Sequence, residues 1–79
     1  RNYNYIVGDK MLIDYNGRAV DITQVKYCET IWWSDTGERG LKLVMWSGSV
    51  ININYGFNIG LRDDMYEKTI RAINILRGA

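Results

Sequence analysis

The sequence predicts an α+β fold in which five or six antiparallel strands form one bent or half-barrel sheet, packed by a single C-terminal amphipathic helix. Three observations lead there. Glycines cut most of the chain into short runs that alternate apolar and polar residues. Asn16-Gly17 sits between two such runs as a two-residue hairpin turn. After Gly60 the apolar period changes from two to 3.6, the helical value.

The first run, Tyr3 to Val7, ends at Gly8-Asp9. Met11 to Tyr15 and Arg18 to Ile22 then flank Asn16-Gly17, a pair that tolerates the two positive φ angles of a type I′ turn. With those two as the turn, Tyr15 faces Arg18, Ile13 faces Val20 and Met11 faces Ile22. One face is then apolar, and the other carries Asp14, Ala19, Leu12 and Asp21, with the two acids toward solvent.

Val25 to Trp33 reads as a longer strand, followed by a polar loop over Ser34–Gly40 and a return strand from Leu41 to Trp46. Alternation groups Val25, Tyr27, Ile31 and Trp33 but also turns Glu29 inward, so a β-bulge or a rim position is expected. The next hairpin reads best with a three-residue loop, Ser47-Gly48-Ser49. It pairs Met45 with Ile51, Leu43 with Ile53 and Leu41 with Tyr55, and leaves Trp46, Val44 and Val50 on the outer face.

From Arg62 to Arg77, Met65, Tyr66, Thr69, Ala72, Ile73 and Leu76 share one helical face, while Asp63, Asp64, Glu67, Lys68, Arg71 and Asn74 fill the other. Asp64-Met65-Tyr66-Glu67 has the spacing of a capping box, and Asp63-Asp64 suits a helix N-terminus electrostatically. Gly78 is expected to stop the helix. The predicted core is Met11, Ile13, Val20, Ile22, Ile31, Leu41, Leu43, Met45, Ile51, Ile53, Met65, Ala72, Ile73 and Leu76. The order of short strands and one C-terminal helix is similar in architecture to pleckstrin-homology-like half-barrels, and no motif carries a residue role across.

Composition bounds the function. Seventy-nine residues, 47% of them hydrophobic, suit one globular domain spanning 1–79. Ten basic residues against nine acidic ones give +1, so no global field favours nucleic acid or anionic lipid. One cysteine, Cys28, closes no intrachain disulfide and reads as a small core filler in a reducing compartment, hence a cytoplasmic expectation. No signal-peptide pattern opens the chain, and no apolar run is long enough for a membrane span.

The absence of histidine removes the commonest general base and the common zinc sites. Asp9, Asp14 and Asp21 lack Ca²⁺-loop spacing, and no glycine loop has a phosphate-binding pattern. The sequence therefore points to no enzyme, no catalytic residue, no metal and no cofactor.

Six tyrosines, three tryptophans and one phenylalanine exceed what so small a core needs. Tyr3, Tyr5, Tyr15, Trp32 and Trp46 fall at strand ends or off the assigned core face. Tyr and Trp dominate interface hot spots. Trp46 with Val44 and Val50 makes an apolar tip, and Trp32, Tyr15 and Arg18 complete the expected partner-binding set. The leading reading is a small protein-interaction module that docks on another protein or on a second copy of itself. Its composition fits a phage or mobile-element inhibitor or regulator of a host complex. The alternative is a small β-barrel that stacks single-stranded nucleic acid on its aromatics.

Overall fold

The computed structural model describes residues 4–78, with side chains from Gly8 onward. Tyr3 and the side chain of Tyr5 lie outside the described residues. The chain runs through six strands, β1 (Asn4–Val7), β2 (Lys10–Tyr15), β3 (Arg18–Asp21), β4 (Val25–Trp32), β5 (Arg39–Met45) and β6 (Val50–Asn54), into one helix, α1 (Ile59–Leu76). The fold is α+β and its strand pairs are antiparallel, as the sequence predicts. The expected single sheet is instead two, β1-β2-β3 and β4-β5-β6. The break falls where Ile22–Gln24 form a 3-10 turn. There Asp21 accepts from the Thr23 N–H at 3.1 Å and the Thr23 hydroxyl at 2.7 Å, which curls the chain out of the first sheet.

That turn also replaces the expected pairing of Met11 with Ile22. Met11 donates its N–H to Asp21 at 3.3 Å, so Asp21 serves as a cap rather than standing in solvent. The rest of the first hairpin has the predicted register, Tyr15 opposite Arg18 and Ile13 opposite Val20. Asn16 and Gly17 take φ values of 56° and 95°, the two positive angles that a type I′ turn requires.

Glu29 does not turn inward. The pairing slips between Val25 and Tyr27, so Lys26 is an extra residue in β4 and the alternation shifts by one. Cys28 takes the core position, and Glu29 moves to the outer face, 3.6 Å from Lys42. Trp33 is also on the outer side, where it covers Gly40. The predicted bulge is thus present, three residues before the glutamate that called for it.

The β5–β6 loop has the expected length but lies one residue earlier, at Trp46-Ser47-Gly48, with Met45 donating to the Ser49 carbonyl at 2.9 Å and Gly48 at φ 95°. Leu43 therefore opposes Ile51, and Leu41 opposes Ile53. Each predicted partner is displaced by two positions, which keeps the strand side chains on their predicted faces, while Trp46 leaves the strand for the turn.

The helix begins earlier than predicted. Asn58 caps it by accepting from the Leu61 N–H at 3.0 Å. Asp63 and Asp64 thus lie beyond the first turn, and the proposed capping box at Asp64 does not form. Gly78 follows the helix at φ 73°, as expected of a stop.

α1 covers the inner face of β4-β5, burying Met65, Thr69, Ala72 and Ile73 against Cys28, Leu41, Leu43 and Ile53 and against Ile13, Tyr15, Val20 and Ile22 of the first hairpin and turn. Of the predicted core, Met11, Met45 and Ile51 pack half-buried against it, and two members lie outside it: Leu76 is 45% exposed at the end of α1, and Ile31 is half-buried on the outer side of β4, where the bulge places it.

Three weak acids share this core. Burial holds the Tyr15 hydroxyl well above its ordinary range and pushes the Cys28 thiol from 9.0 up to about 12. The Tyr55 hydroxyl is also raised by burial, to about 12, and has no hydrogen-bond partner among the described residues. Groups raised on folding contribute stability below their unfolded values and lose it as pH climbs toward the folded ones. The domain is therefore expected to lose stability steadily from pH 9.0 to about 12. Urea midpoints measured across that range check this. A flat profile would place these groups in contact with water.

Candidate functional site

The site residues expected from sequence do not form one patch. Val44 and Val50 face each other across β5 and β6, and Tyr27 opposes Val44 from β4, so these three make an outer-face row. Trp46 belongs elsewhere. Its backbone N–H donates to the Gln24 carbonyl at 2.9 Å, which ties the β5–β6 turn to the 3-10 turn beside the C-terminal end of α1.

Trp32 lies near the opposite end of β4, 59% exposed, with the Arg39 guanidinium 5.6 Å from its ring. Arg18 is exposed at the first hairpin, remote in the chain from both tryptophans. Tyr15 was expected at the interface and is instead 1% exposed. Its hydroxyl lies 2.6 Å from that of Thr69, so its polar end is satisfied within the chain and no partner reaches it in this fold.

Around Trp46 the structure assembles a site that the sequence reading only touched. The ring is 60% exposed, and a cavity of about 270 Å³ opens beside it. Ile22 and Val25 from the turn and start of β4, with Ile73 and Leu76 from the last turns of α1, supply its aliphatic lining, and Thr23 and Arg77 add polar groups. This volume is close to the lower end of the range for small-molecule pockets, roughly 300 Å³, and suits one large side chain better than a whole cofactor.

Two cations stand over the same ring. Lys26 Nζ lies 5.6 Å and Arg77 Cζ 5.8 Å from the Trp46 centroid. Arg77 also donates to the Lys26 carbonyl. Lys26 stands at this end of the sheet as the second residue of β4, where it is the extra residue of the bulge, and Arg77 caps the end of α1, where a cation suits the helix dipole. No carboxylate among the described residues pairs with either cation. The site therefore joins an apolar hollow, an exposed indole and two positive charges with no carboxylate partner among the described residues.

Sequence reasoning missed Lys26 and Arg77. The signal for Arg77 was present, since a basic residue just past a helix C-terminus, once it lies beside an exposed aromatic, is a natural cation–π pair. Lys26 gave none, because its position depends on the bulge. Among the described residues there is no cluster of three or more Cys, Asp or Glu able to hold a metal, and no helix long and apolar enough to cross a membrane. Comparison of the chain with known protein families, curated proteins and solved structures found no match.

Proposed function

We propose that this chain is a non-catalytic recognition module that takes a large apolar side chain of a partner protein into the cavity beside Trp46, while a neighbouring carboxylate of that partner meets Lys26 and Arg77. One observation carries the reading: Trp46, 60% exposed, stands beside an aliphatic hollow and beneath two cations that have no acidic partner among the described residues. Exposed aromatics next to a pocket are the commonest binding hot spots, and unpaired cations at the edge select for acidic partners. Such a module acts by occupying a surface on its partner, as a regulator or inhibitor does.

Selection of a random peptide library on the immobilised protein tests this. Enriched peptides are expected to set Leu, Phe or Trp next to Asp or Glu. Trp46→Ala should weaken them by about 30-fold or more, the loss that corresponds to a hot spot of about 2 kcal/mol, with little change in thermal midpoint. Lys26→Glu should reverse the preference for acidic residues. Peptides enriched without either feature, or binding indifferent to Trp46, would overturn the proposal.

A second reading has one observation in its favour, the cation–aromatic pairs at both ends of β4, Trp46 with Lys26 and Arg77 and Trp32 with Arg39. Single-stranded nucleic acid stacks on such pairs, and its binding falls steeply with salt. Titration of a thymidine oligonucleotide at two salt concentrations separates the two readings.

A further inference from the structure

We propose that β6 is a dimerisation edge on which a second copy of this chain adds its own β6, antiparallel, about a two-fold axis through Asn52. The argument begins with the backbone. Met45 donates to the Ser49 carbonyl and Tyr55 to the Arg39 carbonyl, so the odd-numbered residues of this segment direct their N–H and C=O groups toward β5. Val50, Asn52 and Asn54 direct theirs away from it. All three are exposed, and among the described residues none has a backbone partner on that side.

Sheet edges are normally guarded by charge, proline or a bulge. The β6 sequence, Val50-Ile51-Asn52-Ile53-Asn54, has no charged residue and no proline, and its pairing with β5 runs without a register shift. The other edges differ. β3 is short and bears Arg18 and Asp21, β4 runs beneath α1 with Arg62 and Arg77 reaching the carbonyls of Ile31 and Lys26, and β1 is one residue shorter than β6.

The second copy is the occupant that this edge fits, because the strand is complementary to itself. Antiparallel pairing centred on Asn52 sets Asn52 opposite its own counterpart and Val50 opposite Asn54. Both are bonded pairs, and they use every outward N–H and C=O for about six hydrogen bonds. In the same register Ile51 opposes Ile53 on the core side, where Ile51 is still only half-buried. No like charges meet along the strand. The two three-stranded units would thus join into one continuous six-stranded sheet. Antiparallel alignment also brings the Trp46 turn of each copy to the end of the strand that is followed by Phe57, which is 73% exposed.

Sedimentation velocity of the full chain from micromolar to millimolar concentration is the test, with hydrogen exchange on the same samples. The expected result is a monomer–dimer equilibrium in which the amides of Val50, Asn52 and Asn54 gain protection as concentration rises, while those of Ile51 and Ile53 are protected throughout. Asn52→Pro removes only an outward N–H, so it should weaken the dimer at least tenfold and leave the monomer's thermal midpoint unchanged. Should that variant fold poorly, Asn52→Lys sets two like charges across the axis and should give the same loss.

A monomer at every concentration overturns the proposal. So does a dimer indifferent to both variants, or one whose new protection falls on β1. A dimer abolished by Trp46→Ala but unchanged by Asn52→Pro and Asn52→Lys would place self-association at the cavity and equally exclude β6.

Discussion

Gly40→Ala is expected to destabilise the domain by about 3 kcal/mol, at or beyond the upper end of ordinary overpacking. A Cβ on Gly40 would run into the Ile53 carbonyl oxygen and stand 2.7 Å from two carbons of the Trp33 ring. The ring could tilt away. The carbonyl cannot, because it belongs to the β6 backbone and lies beside the Leu41–Ile53 pair. The β5–β6 pairing must therefore open, or Trp33 must leave the outer face. Gly40 has no positive φ, so the effect is steric and not conformational.

For a domain of this size, each kcal/mol moves the thermal midpoint by about 4–8 °C, and the expected fall is more than about 12 °C. Trp33→Leu in the same chain relieves only the ring contact and should not rescue the variant. Calorimetry of the single and double variants decides it. A Gly40→Ala midpoint within a few degrees of the parent would mean that the strands do not approach this closely.

Gly40 also shows where sequence reading stops. By pattern it reads as the end of a polar loop, yet it lies within β5, where a tryptophan seven positions earlier in the chain folds over it. Local pattern carries no information about such a contact. What local pattern does carry came through well. The first hairpin followed from turn chemistry and alternation together, which agree only in one register. The β5–β6 hairpin had the right faces and loop length but a displaced register, because a shift by two residues leaves the apolar pattern unchanged. The helix start was misplaced because the spacing of a capping box at Asp64 outweighed the segment before Arg62, where Asn58 is the cap that the chain uses.

The site was legible in part. Trp46 and Trp32 are exposed as expected, since large aromatics at strand ends outrun a core this small. Their surroundings were not readable. The cavity beside Trp46 takes its walls from residues 22 to 77, and the cation Lys26 is the extra residue of a bulge that local pattern does not locate. Glu29 hinted that a bulge was needed. Nothing local fixed it at Lys26 rather than nearer the glutamate.

Tyr15 was the clearest misreading, and it yields the second large effect. Truncation to alanine is expected to cost about 3–5 kcal/mol, the range for a buried aromatic. Tyr15 is among the largest fully buried side chains, and it joins the first sheet to the middle of α1, so its loss leaves a cavity where three elements meet. Tyr15→Phe is a different case. Thr69 Oγ1 also lies 2.7 Å from the Met65 carbonyl, to which it donates, so removing the tyrosine hydroxyl strands no donor. Only the net value of one buried hydrogen bond is lost, about 0.5–1.5 kcal/mol.

Urea denaturation of the two variants against the parent measures both numbers. If Tyr15→Phe costs as much as Tyr15→Ala, the hydroxyl, and not the ring, holds the sheet to the helix. If neither variant costs more than about 1 kcal/mol, Tyr15 is not in the core at all. The same phenylalanine variant should bind the acidic apolar peptides as the parent does if, as proposed, the contact ring is the exposed Trp46. A binding defect in Tyr15→Phe at unchanged stability would return Tyr15 to the interface, where its place in the sequence first suggested it.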